Sequence, residues 1–411
     1  MRILWAKANR ILPAHSGGDL RSLHLLRQLR RREEVIFFSY YSGKHDAQYE
    51  RALEHALPGA VSVCMGKKNS GWARGLDYLR KVRNPEPYAV GRFAAGNVRQ
   101  RLRECVAEES PDVVICDFLD AAINLPERMN VPCVLFQHNV ESEIWRRHAE
   151  NARGARRLVY RHEFARMLNY ERAAVRRFDH VIAVSDHDRK LMSAWTSAER
   201  ISVVPTGVDT DEFRPTSDVE KPLVVFVGAM DWEPNVDAAV HFCEEIWPRV
   251  AEKCPDAKFR IVGRNPDARV RALANRSVEV TGRVESVVEH LHEAAVVVVP
   301  LRVGGGTRIK IYEAMAAGKT VVSTSVGAEG LDVHDGRDIV LANSSEMFSD
   351  AVVRLLKSPE ERARLGGTAA RVAERYSWDA AGKKFAEILL DLVSGNSSHA
   401  SPAERPAEVS R

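Results

Sequence analysis

Short runs of β-branched and apolar residues alternate with longer helix-like segments along almost the whole chain. The runs lie at 2–5, 35–41, 61–65, 113–116, 134–137, 181–185, 201–205, 223–228, 259–263, 278–282, 296–300, 320–325 and 338–342. Continuous apolar runs are typical of central parallel strands that are covered by helices on both faces. Strand–helix–strand alternation produces right-handed crossovers and doubly wound sheets. We therefore predict an α/β fold with two Rossmann-like doubly wound domains that face each other across a cleft.

A stretch rich in Pro, Thr and Asp separates the two sets of strands and predicts the domain boundary. We assign residues 1–205 to the N-terminal domain, 206–222 to a linker and 223–376 to the C-terminal domain. Residues 377–393 predict a C-terminal helix that is free to cross back to the N-terminal domain, and the polar tail 394–411 is predicted to be disordered. Ligands of open α/β sheets bind at the carboxyl ends of the strands, so the loops there are the candidate site.

Composition narrows the class of protein. With 45% hydrophobic and 28% charged residues, the chain is neither disordered nor a rod. No apolar stretch approaches the ~18–20 residues of a membrane span, and Lys7 and Arg10 interrupt the segment where a signal peptide has its apolar centre. The six cysteines contain no C-x-x-C pair, which favours buried reduced thiols over a zinc site. We predict a cytoplasmic protein.

The charge is distributed unevenly between the two halves. Residues 1–215 carry 35 Lys and Arg against 27 Asp and Glu, whereas residues 216–411 carry 25 against 29. A basic N-terminal half predicts an anionic partner, such as phosphate, an acidic lipid surface or nucleic acid. The Arg-rich segment 145–178 is interpreted either as a core-facing helix with a solvated basic face or as a basic amphipathic surface for acidic lipid headgroups. No recognised nucleic-acid module is present, which disfavours nucleic acid as the partner.

The segment 296–330 contains a loop suited to an anion. A predicted strand ends at Pro300, and Thr307 is the predicted N-cap of the helix that follows. Between them stand three glycines: Gly304, Gly305 and Gly306. Backbone N–H groups that are bare at a helix N-terminus favour a phosphate or a sugar hydroxyl.

Charged residues surround this loop. Arg302, Arg308 and Lys310 bring three positive charges, which offset a diphosphate better than amides alone. Glu313 lies in the same predicted helix, and a carboxylate accepts hydrogen bonds from two vicinal hydroxyls, such as those of a ribose. The loop therefore predicts a nucleoside diphosphate site.

The series of strand, triple glycine, basic residues, Glu and small-residue helix resembles the donor-binding core of the GT-B glycosyltransferases. The resemblance is to the large retaining family 4, whose type members transfer mannose or glucose from nucleotide sugars. Segments that resemble the family in the same order are HSGGD (15–19), VPCVLFQHN (131–139), VIAVSDHDRKLM (181–192), VVPTGVDTDEF (203–213), LVVFVGAMDWEPNVDA (223–238), FRIVGRNPD (259–267) and VEVTGRVES (278–286). The similarity extends from residue 1 to about 390, and it is specific for the family but not for the substrate.

The resemblance implies roles for individual residues. Gly17 and Gly18 would let the chain approach the donor diphosphate, in a loop after the first strand. His138 would lie near the transferred sugar, where it donates to a hydroxyl or helps to position the acceptor. The residues implied beside this histidine are Asn139 and Glu141. The residues implied to line the base pocket are Gly263, Arg264, Gly282, Arg283 and Val284. The alternatives are that His138 is an ordinary polar residue with its hydrogen bonds satisfied, and that Arg264 or Arg283 is a surface charge.

The sequence departs from the family pattern twice. In the family's E-x7-E motif the second Glu is Glu313, but Gly305 occupies the first position. The segment AMDWEPN (229–235) lacks the Arg and Lys that many members have for the diphosphate. Arg302, Arg308 and Lys310 are the predicted replacements for this basic pair.

Two D-x-D sequences, at 186–188 and 209–211, could suggest a metal site. The first follows Ser185 at a predicted helix start, where carboxylates favour the helix dipole, and the second lies in the linker, where Asp favours turns. We therefore predict transfer without a metal or other cofactor, in which cations neutralise the leaving diphosphate.

The predicted function is transfer of a hexose from a nucleotide-diphosphate sugar to a polysaccharide, glycolipid or other cell-envelope acceptor. The family implies retention of configuration. The N-terminal domain would be the acceptor side, with peripheral contact to the inner face of an acidic membrane. Two alternatives stay open. One is a GT-B protein that binds a nucleotide sugar without turnover, and the other is a non-hydrolysing nucleotide-sugar epimerase, for which the sequence places no acid/base carboxylates.

Overall fold

The computed structural model describes residues 1–14, 16–66, 77–152, 154–217, 219–303 and 309–395. The chain divides into two compact units, which we call the N-terminal unit and the C-terminal unit. The N-terminal unit comprises Met1–Pro205 and the residues from Ala381 onward, and the C-terminal unit comprises Thr206–Ala380. The predicted tail at 394–411 lies outside the described residues except for its first two positions.

The described part of the N-terminal unit contains one seven-stranded sheet whose pairings are all parallel. Its strands are β1 Arg2–Ala8, β2 Glu34–Tyr41, β3 Val61–Cys64, β4 Val113–Asp117, β5 Cys133–Phe136, β6 His180–Ala183 and β7 Ile201–Val203. Their order is β3-β2-β1-β4-β5-β6-β7, so the carboxyl ends of β1, β4 and β5 are neighbours at one edge.

Helices connect these strands. Their bounds are α1 Gly17–Leu29, α2 Ala47–Ala56, α3 Tyr88–Gly91, α4 Gly96–Glu109, α5 Leu119–Ala122, α6 Glu141–Asn151, α7 Gly154–Arg177 and α8 Asp186–Met192, with helical residues also at 77–81 and a 3-10 turn at Ala198–Arg200. Side-chain caps determine where some of these helices begin. Ser16 caps α1 by accepting from the backbone N–H of Asp19, and Ser185 caps α8 in the same way through Asp188.

The described part of the C-terminal unit contains a six-stranded parallel sheet. Its strands are β8 Leu223–Val227, β9 Lys258–Val262, β10 Val278–Gly282, β11 Val296–Val299, β12 Val321–Ser323 and β13 Val340–Leu341, in the order β10-β9-β8-β11-β12-β13. Its helical segments are α9 Glu233–His241, a π-helical turn Phe242–Ile246, α10 Trp247–Lys253, α11 Ala268–Arg271, α12 Val287–Glu293, α13 Ile309–Ala316, α14 Ser345–Lys357 and α15 Pro359–Glu374.

The last helix, α16 Trp378–Val393, contains the point where the two units are divided. Its later part packs into the N-terminal unit. The Phe385 ring is fully buried, stacks on Trp5 at 5.5 Å and meets Phe136 edge-on at 5.3 Å. Gly382 is needed because a Cβ there would lie 2.5 Å from the Cβ of Gln28.

The predicted α/β architecture is confirmed, and each predicted strand run coincides with a strand. All six cysteines are free, with Cys105 and Cys116 buried and the other four partly exposed. Within the described residues, no helix is both long enough and apolar enough to cross a membrane.

Candidate functional site

Three glycines meet at the carboxyl edge of the second sheet. The N–H of Gly228 donates to the carbonyl of Val262 at 3.0 Å, and the N–H of Gly263 donates to the carbonyl of Gly282 at 3.2 Å. A Cβ at Gly263 would lie 1.7 Å from the Gly228 carbonyl oxygen, so only glycine allows this approach. Gly282 has φ +71°, in the region that glycine favours. The ends of β8, β9 and β10 therefore present bare backbone at one place.

The other residues predicted for the base pocket lie on the loops after β9 and β10. The Arg264 carbonyl accepts from the N–H of Met230 at 3.1 Å, which joins the loop after β9 to the loop after β8. Arg283 is exposed, and Val284 packs partly buried against the core of this unit. The structure thus brings the loops of these residues together, and their contact with a base stays a prediction.

The segment 229–235 after β8 has no basic residue, but Lys310 on α13 places its ammonium group at the end of β8. Its Nζ donates to Oδ1 of Asn235 at 2.8 Å and lies 4.9 Å from the centre of the Phe226 ring. Asn235 is 97% buried, and its Nδ2 donates to the Ala229 carbonyl at 2.9 Å. The ammonium group therefore has a built anchor beside Gly228.

Lys310 and Glu313 lie on the same side of α13, because the intervening residues Ile311 and Tyr312 are buried in the core. Glu313 is partly buried. Burial raises the pKa of its carboxyl group to about 7, with Lys310 opposing and Glu212 reinforcing the shift. Near neutral pH this side chain exchanges between an ionised acceptor and a neutral acid.

Arg302 has a partner within the C-terminal unit. Its guanidinium makes a two-pronged ion pair with Asp237 on α9, with Nε at 3.0 Å from Oδ2, and the side chain is half exposed. Part of its charge is therefore balanced by a carboxylate. Its predicted role toward the diphosphate stays a prediction. Gly304, Gly305, Gly306, Thr307 and Arg308 lie outside the described residues.

In the N-terminal unit, three N–H donors from β1 and from the segment after β5 lie close to the Asp117 carboxylate. Its Oδ1 lies 2.7 Å from Nε2 of His138, and its Oδ2 lies 2.9 Å from Nε1 of Trp5 and 3.3 Å from Nζ of Lys7. Burial opposes ionisation of Asp117, but Lys7 and His138 prevail and hold its pKa well below the ordinary value. The strand order β1-β4-β5 explains the cluster, because these three strand ends are adjacent.

His138 is 5% exposed, and burial lowers its pKa to about 4 although Asp117 raises it. The imidazole is therefore neutral at pH 7. Because Nε2 faces the Asp117 carboxylate, the proton lies on Nε2 and Nδ1 is an acceptor. Nδ1 is buried without a hydrogen-bond partner among the described residues, and a Cβ at Gly18 would lie 3.3 Å from it. Donation to a sugar hydroxyl would require His138 to leave Asp117, and this role stays a prediction.

Gly17 and Gly18 begin helix α1 rather than standing in a loop before it. The Ser16 cap explains the difference, since it lets the helix start at the first glycine. The first backbone N–H groups of a helix lack intrahelical partners, so the predicted affinity of these glycines for an anion keeps its physical basis.

The residues after His138 are fixed by a buried carboxylate. Glu171 on α7 accepts from the backbone N–H groups of Glu141 at 2.8 Å and Ser142 at 3.0 Å, which caps α6. Burial raises the pKa of Glu141 to about 8, with Asp120 and Glu171 reinforcing the shift and Asn139 opposing it. Burial also raises the pKa of Asp120 to about 6. Glu141 is therefore mainly a neutral acid at pH 7.

The two D-x-D sequences have the structural roles predicted for them. Ser185 Oγ donates to Oδ2 of Asp188 at 2.7 Å at the start of α8, and Oδ1 of Asp209 accepts from the N–H groups of Asp211 and Glu212 in a turn. Among the described residues, no group of three or more His, Cys, Asp or Glu is arranged to hold a metal ion.

The sequence reasoning missed Asn235, Asp117 and Lys7. Lys7 carried a signal, since it is a charged residue inside the apolar run of β1, and Asp117 directly follows the run of β4. Asn235 carried none, because a neutral amide next to a proline is compatible with any surface turn, whereas the structure places it buried in the first turn of α9.

Comparison with known proteins identifies the chain. A family model described as Glycosyltransferase Family 4 matches residues 16–212, and one described as Glycosyl transferases group 1 matches residues 221–358. The phosphatidyl-myo-inositol mannosyltransferase of Mycobacterium leprae is 27% identical over 228 residues, which cover 53% of this chain and 60% of that protein. The match thus spans less than two thirds of this curated relative.

Two solved structures are similar over nearly the whole chain. Sucrose-phosphate synthase of Thermosynechococcus elongatus has a TM-score of 0.69 at 16% identity, with 96% of this chain and 99% of that chain covered. Anabaena HepE in complex with UDP has a TM-score of 0.65 at 16% identity, with 95% and 100% covered. At this identity the likeness concerns the fold, which is the two-domain GT-B fold. Together with the family models, it shows that the chain belongs to the group 1 glycosyltransferases of family 4.

Proposed function

We propose that this chain transfers a hexose from a nucleotide-diphosphate sugar to a saccharide or lipid-linked acceptor of the cell envelope. The observation that carries the proposal is the Lys310 ammonium group anchored at the carboxyl end of β8, on the same helix side as Glu313. The ammonium group suits the diphosphate of a nucleotide, and the carboxylate, which accepts hydrogen bonds from hydroxyl groups, suits the ribose of the same nucleotide.

The chemistry follows from these groups. The bond between the anomeric carbon and the diphosphate breaks, and the nucleoside diphosphate leaves with the bonding electrons. The acceptor oxygen bonds to the same carbon, and its hydroxyl proton passes to the leaving diphosphate. Lys310, with Arg302 and Arg308, would neutralise the charge that develops on the leaving group. We propose that these cations act without a metal or other cofactor, and that configuration is retained as the family resemblance implies.

Relatives support the choice of substrate class. The relative from Mycobacterium leprae is named a mannosyltransferase that acts on phosphatidyl-myo-inositol, and the Anabaena neighbour binds UDP. A hexosyl nucleotide and an acceptor with a lipid anchor are therefore the first candidates to test.

The test is a transfer assay with UDP-, GDP- and ADP-hexoses and a cell-envelope acceptor fraction, in which nucleoside diphosphate release and labelled product are both measured. We expect release that depends on the acceptor and falls at least tenfold in Lys310→Ala. The matched control is Lys253→Ala, because Lys253 is a half-exposed lysine paired with Asp350. No product with any donor, despite binding of one, would contradict the proposal and favour a binding protein without turnover.

An epimerase remains a second candidate because the structure contains acid/base carboxyl groups. Asp120 and Glu141 have pKa values of about 6 and about 8, which suit proton transfer near neutral pH. Release of free epimerised sugar without any acceptor would favour this reaction over transfer.

We also propose peripheral contact of the N-terminal unit with an acidic membrane surface. On α7, Leu158 is 69% exposed and Val159 is 43% exposed, and Arg156, Arg157 and Arg161 are exposed around them. Apolar side chains among cations suit the boundary of an anionic bilayer. Sedimentation with phosphatidylglycerol vesicles, but not with phosphatidylcholine vesicles, tests this contact, with Leu158→Ser expected to weaken it.

A further inference from the structure

The amide of Asn235 is oriented by its surroundings. Its Nδ2 donates to the Ala229 carbonyl at 2.9 Å, so its Oδ1 must face the other way, where it accepts from Nζ of Lys310 at 2.8 Å. The side chain is 97% buried, so it cannot rotate freely into solvent. The amide is thus a fixed acceptor that is aimed at one ammonium group.

The backbone leaves room for this arrangement. A Cβ at Gly228 would lie 2.7 Å from Nδ2 of Asn235 and 2.9 Å from Nζ of Lys310. Glycine at 228 therefore lets both side chains reach the end of β8. The Phe226 ring beneath Lys310 adds a second attraction for the cation without any negative charge.

A neutral acceptor is the appropriate partner for a cation that must bind an anion. The ammonium has three N–H donors, and Asn235 uses one of them without cancelling the charge. A carboxylate in the same place would neutralise the group, as Asp237 does in part for Arg302. The first turn of α9 thus holds a charge that α13 supplies.

We infer that Asn235 is a positioning residue that holds the Lys310 ammonium at the diphosphate of the donor, in place of the basic pair that the segment 229–235 lacks. This inference rests on the proposed function, because it assumes that a nucleoside diphosphate binds at this sheet edge. Asn235 acts through Lys310 and needs no contact with the substrate.

The experiment compares the affinities of UDP, GDP and ADP with those of uridine, guanosine and adenosine for the full chain, by calorimetry. For the base that is recognised, Asn235→Ala is expected to lower the affinity for the nucleoside diphosphate about tenfold and the affinity for the nucleoside by less than twofold. Asn235→Asp is expected to lower the affinity for the nucleoside diphosphate more than Asn235→Ala does, because it adds a negative charge beside Lys310. In a Lys310→Ala background, Asn235→Ala is expected to have no further effect.

A purely structural role for Asn235 would give a different pattern. The matched control is Asn124→Ala, which removes another fully buried amide that bonds the backbone of residues 93 and 95 in the N-terminal unit. It should lower thermal stability but leave the diphosphate affinity unchanged. If Asn235→Ala does not fold, the comparison is made with Asn235→Asp, whose side chain has nearly the same shape.

The outcomes separate the inference from the proposed function. Equal losses for nucleoside and diphosphate, additive effects of the two substitutions, or an Asn235→Asp variant as tight as the unmodified chain would each overturn the inference alone. Failure of the unmodified chain to bind any of the six compounds would overturn the proposed donor site together with the inference.

Discussion

The raised pKa of Glu313 makes nucleoside binding dependent on pH in a direction that can be calculated. Burial is the main cause of the shift to about 7, and the neighbouring Glu212 adds to it while Lys310 opposes it. Only the ionised carboxylate accepts hydrogen bonds from both ribose hydroxyls. With a pKa of about 7, roughly nine-tenths of the carboxyl groups are ionised at pH 8 and roughly one-tenth at pH 6. The affinity for a nucleoside should therefore fall about ninefold over this interval.

The assay is calorimetric titration with uridine and guanosine at pH 6, 7 and 8. Nucleosides are used because they carry no phosphate group that titrates in the same range. Glu313→Gln should bind weakly and with the same affinity at all three pH values, while Glu212→Gln should shift the midpoint to lower pH because it removes a neighbouring negative charge. An affinity of the unmodified chain that does not change with pH, or an equal slope in Glu313→Gln, would mean that the Glu313 carboxylate does not bind the ribose.

Three further predictions concern stability and are checked by urea unfolding. Gly263→Ala should cost about 3 kcal/mol or more, since its Cβ would overlap the Gly228 carbonyl oxygen at 1.7 Å; a loss below about 1 kcal/mol would contradict the close approach. Asp117→Asn should cost about 3 kcal/mol at pH 7 because it removes the nearer carboxylate of the buried Lys7 and leaves only Asp19, whose Oδ1 lies 3.7 Å from Nζ. The pKa of the Asp117 carboxylate is lowered in the folded state, so its contribution to stability is present above the ordinary pKa of about 3.9. Below that pH the difference in unfolding free energy between the unmodified chain and Asp117→Asn should become smaller. A difference that grows in acid would contradict this prediction. Phe385→Ala should cost about 3–5 kcal/mol, since the ring is fully buried against two other aromatic rings; a loss under about 1 kcal/mol would mean that this packing is absent.

The central strands of each sheet were predictable from the sequence because they are buried on both faces. Runs such as 296–299 must be apolar at every position when helices cover both sides, and this composition distinguishes them from amphipathic helices. The helix with Glu313 was predictable for a related reason, since small and apolar residues mark the face that packs on the sheet. Glu313, its one carboxylate, then stands out.

The contacts that complete the site were not predictable in the same way. Asp117 meets Lys7 and His138 only because β1, β4 and β5 are adjacent, which depends on strand order and not on local composition. Asn235 meets Lys310 across 75 positions of sequence. On α7, Leu158 is exposed while Met167 is buried, although both are apolar. A helical period identifies a face, and tertiary packing decides how far along the helix that face is covered.

The most direct test of the donor site is a crystal structure of the chain with the nucleoside diphosphate that binds best in the screen. We predict that Nζ of Lys310 lies about 3 Å from an oxygen of the diphosphate and that the Glu313 carboxylate accepts from the ribose hydroxyls. A nucleotide bound elsewhere, with no phosphate oxygen near Lys310, would contradict the proposed donor site.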